Sequence, residues 1–116
     1  MKGNETTGEK RKEAAMIKGI IGYKVLNYKE VEPIFMQLRL HAMQSQGFIS
    51  AENLVSNENL SVVVMISTWE TIENWRTWAE SRITKDLLQQ LQQAKAVVLG
   101  AYRLTAYKTM PTVEWS

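Results

Sequence analysis

Apolar and polar positions alternate along the chain, then repeat at helical spacing, then alternate again. From Ile17 to Leu26 the period is two: Ile17, Gly19, Ile21, Tyr23 and Val25 share one side, and Lys18, Ile20, Gly22 and Lys24 the other. That pattern predicts a strand. After a turn at Asn27–Lys29, the period lengthens over Glu30–Gln46, where Val31, Ile34, Phe35, Leu38 and Ala42 form an inward stripe and Met36, Leu40 and Met43 a second one. This is a helix, and two stripes imply cover on more than one side. Pro33 is compatible with it in the first turn, where no amide donor is needed. Gly47 is a natural helix C-cap. Phe48–Leu54 and Leu60–Trp69 read as strands joined by a turn at Ser56–Asn59, and so as a hairpin. Thr71 caps a helix holding Ile72, Trp75, Trp78 and Ala79, with Glu73 in its first turn. Ser81–Ile83 interrupts it, and Thr84–Ala94 resumes with Leu87, Leu88 and Leu91 on one side. Val97–Lys108 is a final strand.

The order strand, helix, strand, strand, helix, strand is the split βαβ pattern. It predicts an α+β, ferredoxin-like βαββαβ fold: a four-stranded antiparallel sheet with both helices on one face. Both alternating sets in Val62–Met65 and Val97–Tyr107 contain apolar residues, so the open sheet face is apolar too. Such a face is rare in a monomer. A second copy packed sheet to sheet with two-fold symmetry covers it, and a homodimer is expected. Residues 1–15 are charged almost throughout and predict a flexible N-terminal extension. Residues 16–110 form the single domain and 111–116 a tail.

Charge and composition then narrow the function classes. A net charge of +2 over 116 residues gives no electrostatic case for nucleic acid. The absence of cysteine removes disulfides, thiolate catalysis and Cys-ligated metal. No apolar run is long enough to span a membrane and no secretory segment opens the chain, so a cytoplasmic location is the default. With a single histidine, His41, there is no multi-His metal site. Acid–base chemistry falls to His41, a carboxylate, Tyr, Lys or water. No Gly-rich phosphate loop, nucleophile elbow or zinc signature is present.

The densest signal is Ser67–Ser81, STWETIENWRTWAES, which holds three of the four tryptophans. A strand ending in Thr68-Trp69, a short cap, and then Trp75, Trp78 and Ser81 resembles the antibiotic biosynthesis monooxygenase family. The likeness runs over Ile17–Lys108, including the Gly47-Phe48 entry into the second strand. It implies a dimeric α+β barrel. It also implies one of two chemistries: oxygenation of electron-rich phenols, quinols or anthrones by molecular oxygen without metal, flavin or haem, or oxidative haem cleavage. The haem branch resembles a first-strand Asn, a helix Trp and a His ten residues beyond it. Here Trp78 matches the tryptophan, but Leu88 stands ten residues on and Tyr23 at the strand position. The haem reading is therefore disfavoured, and no cofactor is expected.

The expected site follows from that resemblance and from helix faces. Trp78 is the leading candidate, with an indole N–H able to meet a polar ligand atom. His41, three residues after Leu38, borders the core face of its helix and is the candidate base for a phenolic proton. Tyr23 sends a hydroxyl inward if its strand side faces the helices. Trp75, Phe35, Leu38, Met65 and Leu88 are the expected substrate-contacting walls. Packing is the competing explanation for each aromatic and methionine, and a hydrogen bond at the edge of the core is the competing explanation for His41. The expected partners are a small aromatic substrate and molecular oxygen. The alternative is a non-catalytic dimeric binding module.

Overall fold

The computed structural model describes residues 16–57, 62–94 and 103–110. Strand β1 (Ile17–Lys24) pairs antiparallel with β3 (Val62–Trp69), from Ile17 opposite Trp69 to Lys24 opposite Val62. Strand β2 (Phe48–Val55) flanks β3, and β4 (Arg103–Lys108) flanks β1. The sheet order is β2-β3-β1-β4, all neighbours antiparallel. This is the ferredoxin-like α+β arrangement that the order of elements predicts.

The period-two pattern decides which face is which. Ile17, Ile21 and Tyr23 of β1 and Val63, Met65 and Trp69 of β3 are all buried on one side. Helix α1 (Tyr28–Met43) lays Val31, Phe35, Leu38 and Ala42 against them, at the spacing of one helical stripe. Two shorter helices, α2 (Ile72–Ala79) and α3 (Arg82–Gln93), complete the cover with Trp78, Leu87, Leu88 and Leu91. The expected interruption is real and has a local cause. Ser81 is the N-cap of α3, its side chain accepting from the Thr84 amide, so the backbone restarts there.

Helix α1 departs from expectation at both ends. The Asn27 side chain accepts from the Lys29 amide at 3.1 Å, making Asn27 an N-cap rather than part of a turn. The helix therefore starts before Glu30, and Pro33 stands inside it rather than in its first turn. Pro33 has no N–H to donate to the carbonyl four residues back. The flanking buried residues Val31 and Phe35 hold the helix together across the gap. At the other end the helix closes at Met43 with Gln44 as its C-cap. Gly47 lies beyond the cap with φ of 81°, and a Cβ there would run into the Asn74 side chain. Its carbonyl accepts from the Glu70 amide at 2.8 Å, which ties the end of α1 to the start of α2. Strand β2 bulges at Ile49, where the register skips from Phe48 to Ser50.

The second stripe of α1 is not covered in the single chain: Met36, Leu40 and Met43 are each about half exposed. Met36 and Met43 are thus surface residues, whereas Met65 is core. The sheet face away from the helices presents Ile20, Leu54, Val62, Val64, Ile66 and Tyr107, by alternation from the buried set and by register. The strand expected from Val97 is described only from Arg103, and the tip of the hairpin lies outside the described residues. So do the N-terminal extension, the tail and Trp115.

Candidate functional site

The tryptophan-rich stretch folds back on itself to build one wall of a cavity. Trp69 ends β3, fully buried, with its indole N–H donating to Ser67 Oγ at 2.9 Å. Ser67 in turn faces the Gly19 carbonyl at 3.4 Å. Phe48 meets Trp69 edge to face, with ring centroids 5.6 Å apart. Trp78, one per cent exposed, packs tilted on Trp69 at 5.5 Å, and the His41 ring lies 6.5 Å beyond Trp78. The sequence Phe48, Trp69, Trp78, His41 is thus a continuous aromatic row from the sheet edge to the helix surface. Trp75, one turn before Trp78, lies over the backbone of Gly19, so close that a Cβ there would collide with its indole nitrogen. A glycine in β1 is what lets α2 approach the sheet.

The cavity of ≈ 250 Å³ opens where α1 ends against α2. His41, Ser45 and Gln46 line it from α1 and its exit; Asn74, Thr77, Trp78 and Ser81 line it from α2 and its exit. Of these only Trp78 is apolar, so the site offers one aromatic wall and a polar rim. His41 Nε2 is 3.0 Å from Ser81 Oγ. Partial burial holds the imidazole below its ordinary value of 6.5, because the charged form loses hydration there. Neutral imidazole, the form a general base requires, is therefore favoured. Trp78 Nε1 is buried and has no hydrogen-bond partner among the described residues.

The structure brings together two of the sequence-selected residues, His41 and Trp78. The others stand elsewhere. Tyr23 and Phe35 pack edge to face, centroids 5.9 Å apart, and belong with Leu38, Met65 and Leu88 to the buried core. None of the five lines the cavity beside His41, because the space between sheet and helices at their positions is filled by their own side chains. Trp75 is partly buried over Gly19 and does not line it either. Five lining residues were not selected as site residues from sequence: Ser45, Gln46, Asn74, Thr77 and Ser81, the last of which entered only through the family motif. Two were within reach of helical spacing, since Ser45 follows His41 by four and Asn74 precedes Trp78 by four. The position that would hold the haem-branch histidine, Leu88, is buried among Leu87, Leu91 and the sheet, and that arrangement does not fit this chain. Among the described residues no cluster of metal-binding side chains occurs and no helix is long and apolar enough to cross a membrane.

Comparison with solved structures bears on this geometry. A conserved protein from Methanosarcina mazei superposes with a TM-score of 0.72 at 14% identity, over 84% of this chain and 96% of the other. SnoaB, a cofactor-independent oxygenase from Streptomyces nogalater, superposes with a TM-score of 0.66 at 13% identity, over 89% of this chain and 97% of SnoaB. A Nitrosomonas europaea protein described as a candidate antibiotic biosynthesis monooxygenase gives 0.70 at 11% identity, over 84% and 93%. The chain has the fold of the antibiotic biosynthesis monooxygenases. No family model and no curated relative matches the sequence.

Proposed function

We propose that this chain is a cofactor-independent monooxygenase acting on a small hydroxylated aromatic compound with molecular oxygen. One observation carries the reading: a partly desolvated histidine and a buried tryptophan from different helices meet at one cavity. The neighbouring fold of a cofactor-independent oxygenase supports the same chemistry by analogy. In this reading His41 takes the phenolic proton and Trp78 orients the ring. The electron-rich phenolate passes one electron to oxygen. Superoxide and the phenoxyl radical then join through a C–O bond at a ring carbon bearing hydrogen. His41 returns its proton to the outer peroxide oxygen; loss of that carbon's proton to the imidazole then breaks the O–O bond and leaves a carbonyl, and the departing hydroxide takes up that proton to become water. One oxygen atom ends in the quinone and one in water, so no outside reductant is consumed. The protein's contributions are deprotonation, orientation and partial exclusion of water. A cavity of ≈ 250 Å³, just below the usual ~300–1,000 Å³ range, favours one- or two-ring substrates. The test is oxygen uptake by metal-free protein offered hydroquinones, naphthols and anthrones, corrected for autoxidation. Saturable uptake is expected with the smaller compounds. A stable protein that binds them without consuming oxygen would instead be the non-catalytic module.

The same proposal includes a homodimer. Ile20, Leu54, Val62, Val64, Ile66 and Tyr107 give the outer sheet face an apolar patch, with Leu54 and Tyr107 about half exposed in the single chain and with Lys18, Lys24, Glu52, Thr68 and Thr105 on the same face. A two-fold copy packed face to face would bury it. Ile66→Asp places a charge at the middle of that surface and is expected to convert dimer to monomer in a mass measurement at micromolar concentration. A wild-type chain already monomeric there would remove the dimer from the proposal.

A further inference from the structure

Ser81 stands at the meeting of α2, α3 and His41, and its single hydroxyl proton has more claimants than it can serve. Ser81 Oγ lies 2.8 Å from the Trp78 carbonyl, 3.0 Å from His41 Nε2, 3.1 Å from Thr84 Oγ1 and 3.3 Å from the Thr84 amide. Each contact has a fixed or a free polarity. The Trp78 carbonyl can only accept and the Thr84 amide can only donate; the Thr84 hydroxyl and the imidazole nitrogen can do either. The carbonyl is the shortest contact and has no way to reverse its role, so the Ser81 proton goes there. With that proton committed, the Thr84 amide, the Thr84 hydroxyl and His41 Nε2 share the two lone pairs of the oxygen and none of them receives its proton, so the imidazole must supply the hydrogen of its own bond.

We infer that Ser81 is a positioning residue which holds His41 in the tautomer protonated at Nε2, so that the basic atom of the site is Nδ1. Among the described residues Ser81 is the one hydrogen-bond partner of the imidazole ring; Ser45 Oγ donates to the His41 carbonyl at 2.9 Å and leaves the ring nitrogens untouched. The functional consequence rests on the monooxygenase reading: a phenolic proton would be taken by Nδ1, not by the nitrogen that faces Ser81. It also gives Ser81 two tasks with one oxygen, since the same lone pairs that cap α3 orient the base. A neutral histidine whose ring flips between tautomers presents its base only part of the time; one held at Nε2 presents Nδ1 continuously.

The chain holds one histidine, so a long-range proton–nitrogen correlation spectrum of tag-free, nitrogen-15-labelled protein contains a single imidazole. Above the titration of His41, Nε2 is expected at a pyrrole-type shift and Nδ1 at a pyridine-type shift. Ser81→Ala is expected to move both nitrogens toward intermediate, averaged values, and Ser81→Thr, which keeps the hydroxyl and the cap, to restore them. A pyridine-type Nε2 in the wild type would overturn the inference, and so would a spectrum that Ser81→Ala leaves unchanged. The wild-type spectrum decides the tautomer even if the alanine variant fails to fold. The readout is independent of turnover. Uptake of oxygen with the opposite tautomer would discard this inference and keep the monooxygenase; the expected tautomer without uptake would do the reverse.

Discussion

Trp78→Ala is expected to lower the stability of the fold by about 3–5 kcal/mol, the range seen when a buried aromatic is cut to a methyl. The size follows from where the ring lies. Trp78 is one per cent exposed and is packed between Trp69 and the His41 ring. Truncation leaves a hole that neither the sheet nor α1 can close, because both neighbours are fixed by other bonds: Trp69 to Ser67, and His41 to Ser81. Urea denaturation with the midpoint and slope fitted together measures it. Trp78→Phe separates packing from chemistry. Phenylalanine keeps most of the buried area, and the indole nitrogen it discards has no hydrogen-bond partner among the described residues. Phenylalanine leaves a smaller hole than alanine does, so its stability cost is expected to fall clearly below that of Trp78→Ala. If Trp78 orients substrate through that N–H, turnover falls far more than stability does. Equal turnover in Trp78→Phe and wild type would leave Trp78 as packing alone.

The fold was legible because its signals were long and repeated. Alternation in Ile17–Lys24 named the buried side of β1 residue by residue, and Val31, Phe35, Leu38 and Ala42 named the buried stripe of α1. Boundaries were less legible, for a physical reason visible at Asn27. A proline six residues later argued for a late helix start, but one capping bond and the burial of Val31 and Phe35 outweighed the missing amide. The site was half legible. Trp78 and His41 carry distinctive side chains, and chemistry alone singled them out. Tyr23, Phe35, Leu38, Met65 and Leu88 are the residues that face the sheet–helix interior, and an interior position does not tell a pocket wall from filled core. The difference lies in whether the neighbouring volumes leave space, which no periodicity encodes. Asn74 shows the converse. Its side chain takes a local 2.7 Å bond from Thr71 Oγ1, but it also packs against Gly47, a left-handed glycine 27 positions earlier in the chain, and that contact no local spacing encodes.

His41→Ala is expected to reduce oxygen uptake by about 10²–10⁴-fold, the usual worth of a positioned general base. The pH dependence distinguishes that role from a structural one. Burial lowers the native pKa of His41 below 6.5. The neutral, proton-accepting form therefore persists to lower pH than in a free histidine. Uptake corrected for autoxidation should rise with pH through the native pKa and level off before neutrality. Stability moves with the same group. In the unfolded chain the imidazole titrates near its ordinary value of about 6.5, so between there and the lower native value the unfolded state binds more protons. Stability must then increase with pH across that window. The contribution is fully present above the unfolded pKa and is lost as pH falls toward the native one. His41→Gln, which keeps a polar partner for Ser81 but cannot titrate, should flatten that slope while leaving the carboxylate-driven loss at lower pH in place. An unaltered slope in His41→Gln would mean that the imidazole is not desolvated in the native state. The site would then have no reason to hold a neutral base at a pH where ordinary histidine is charged.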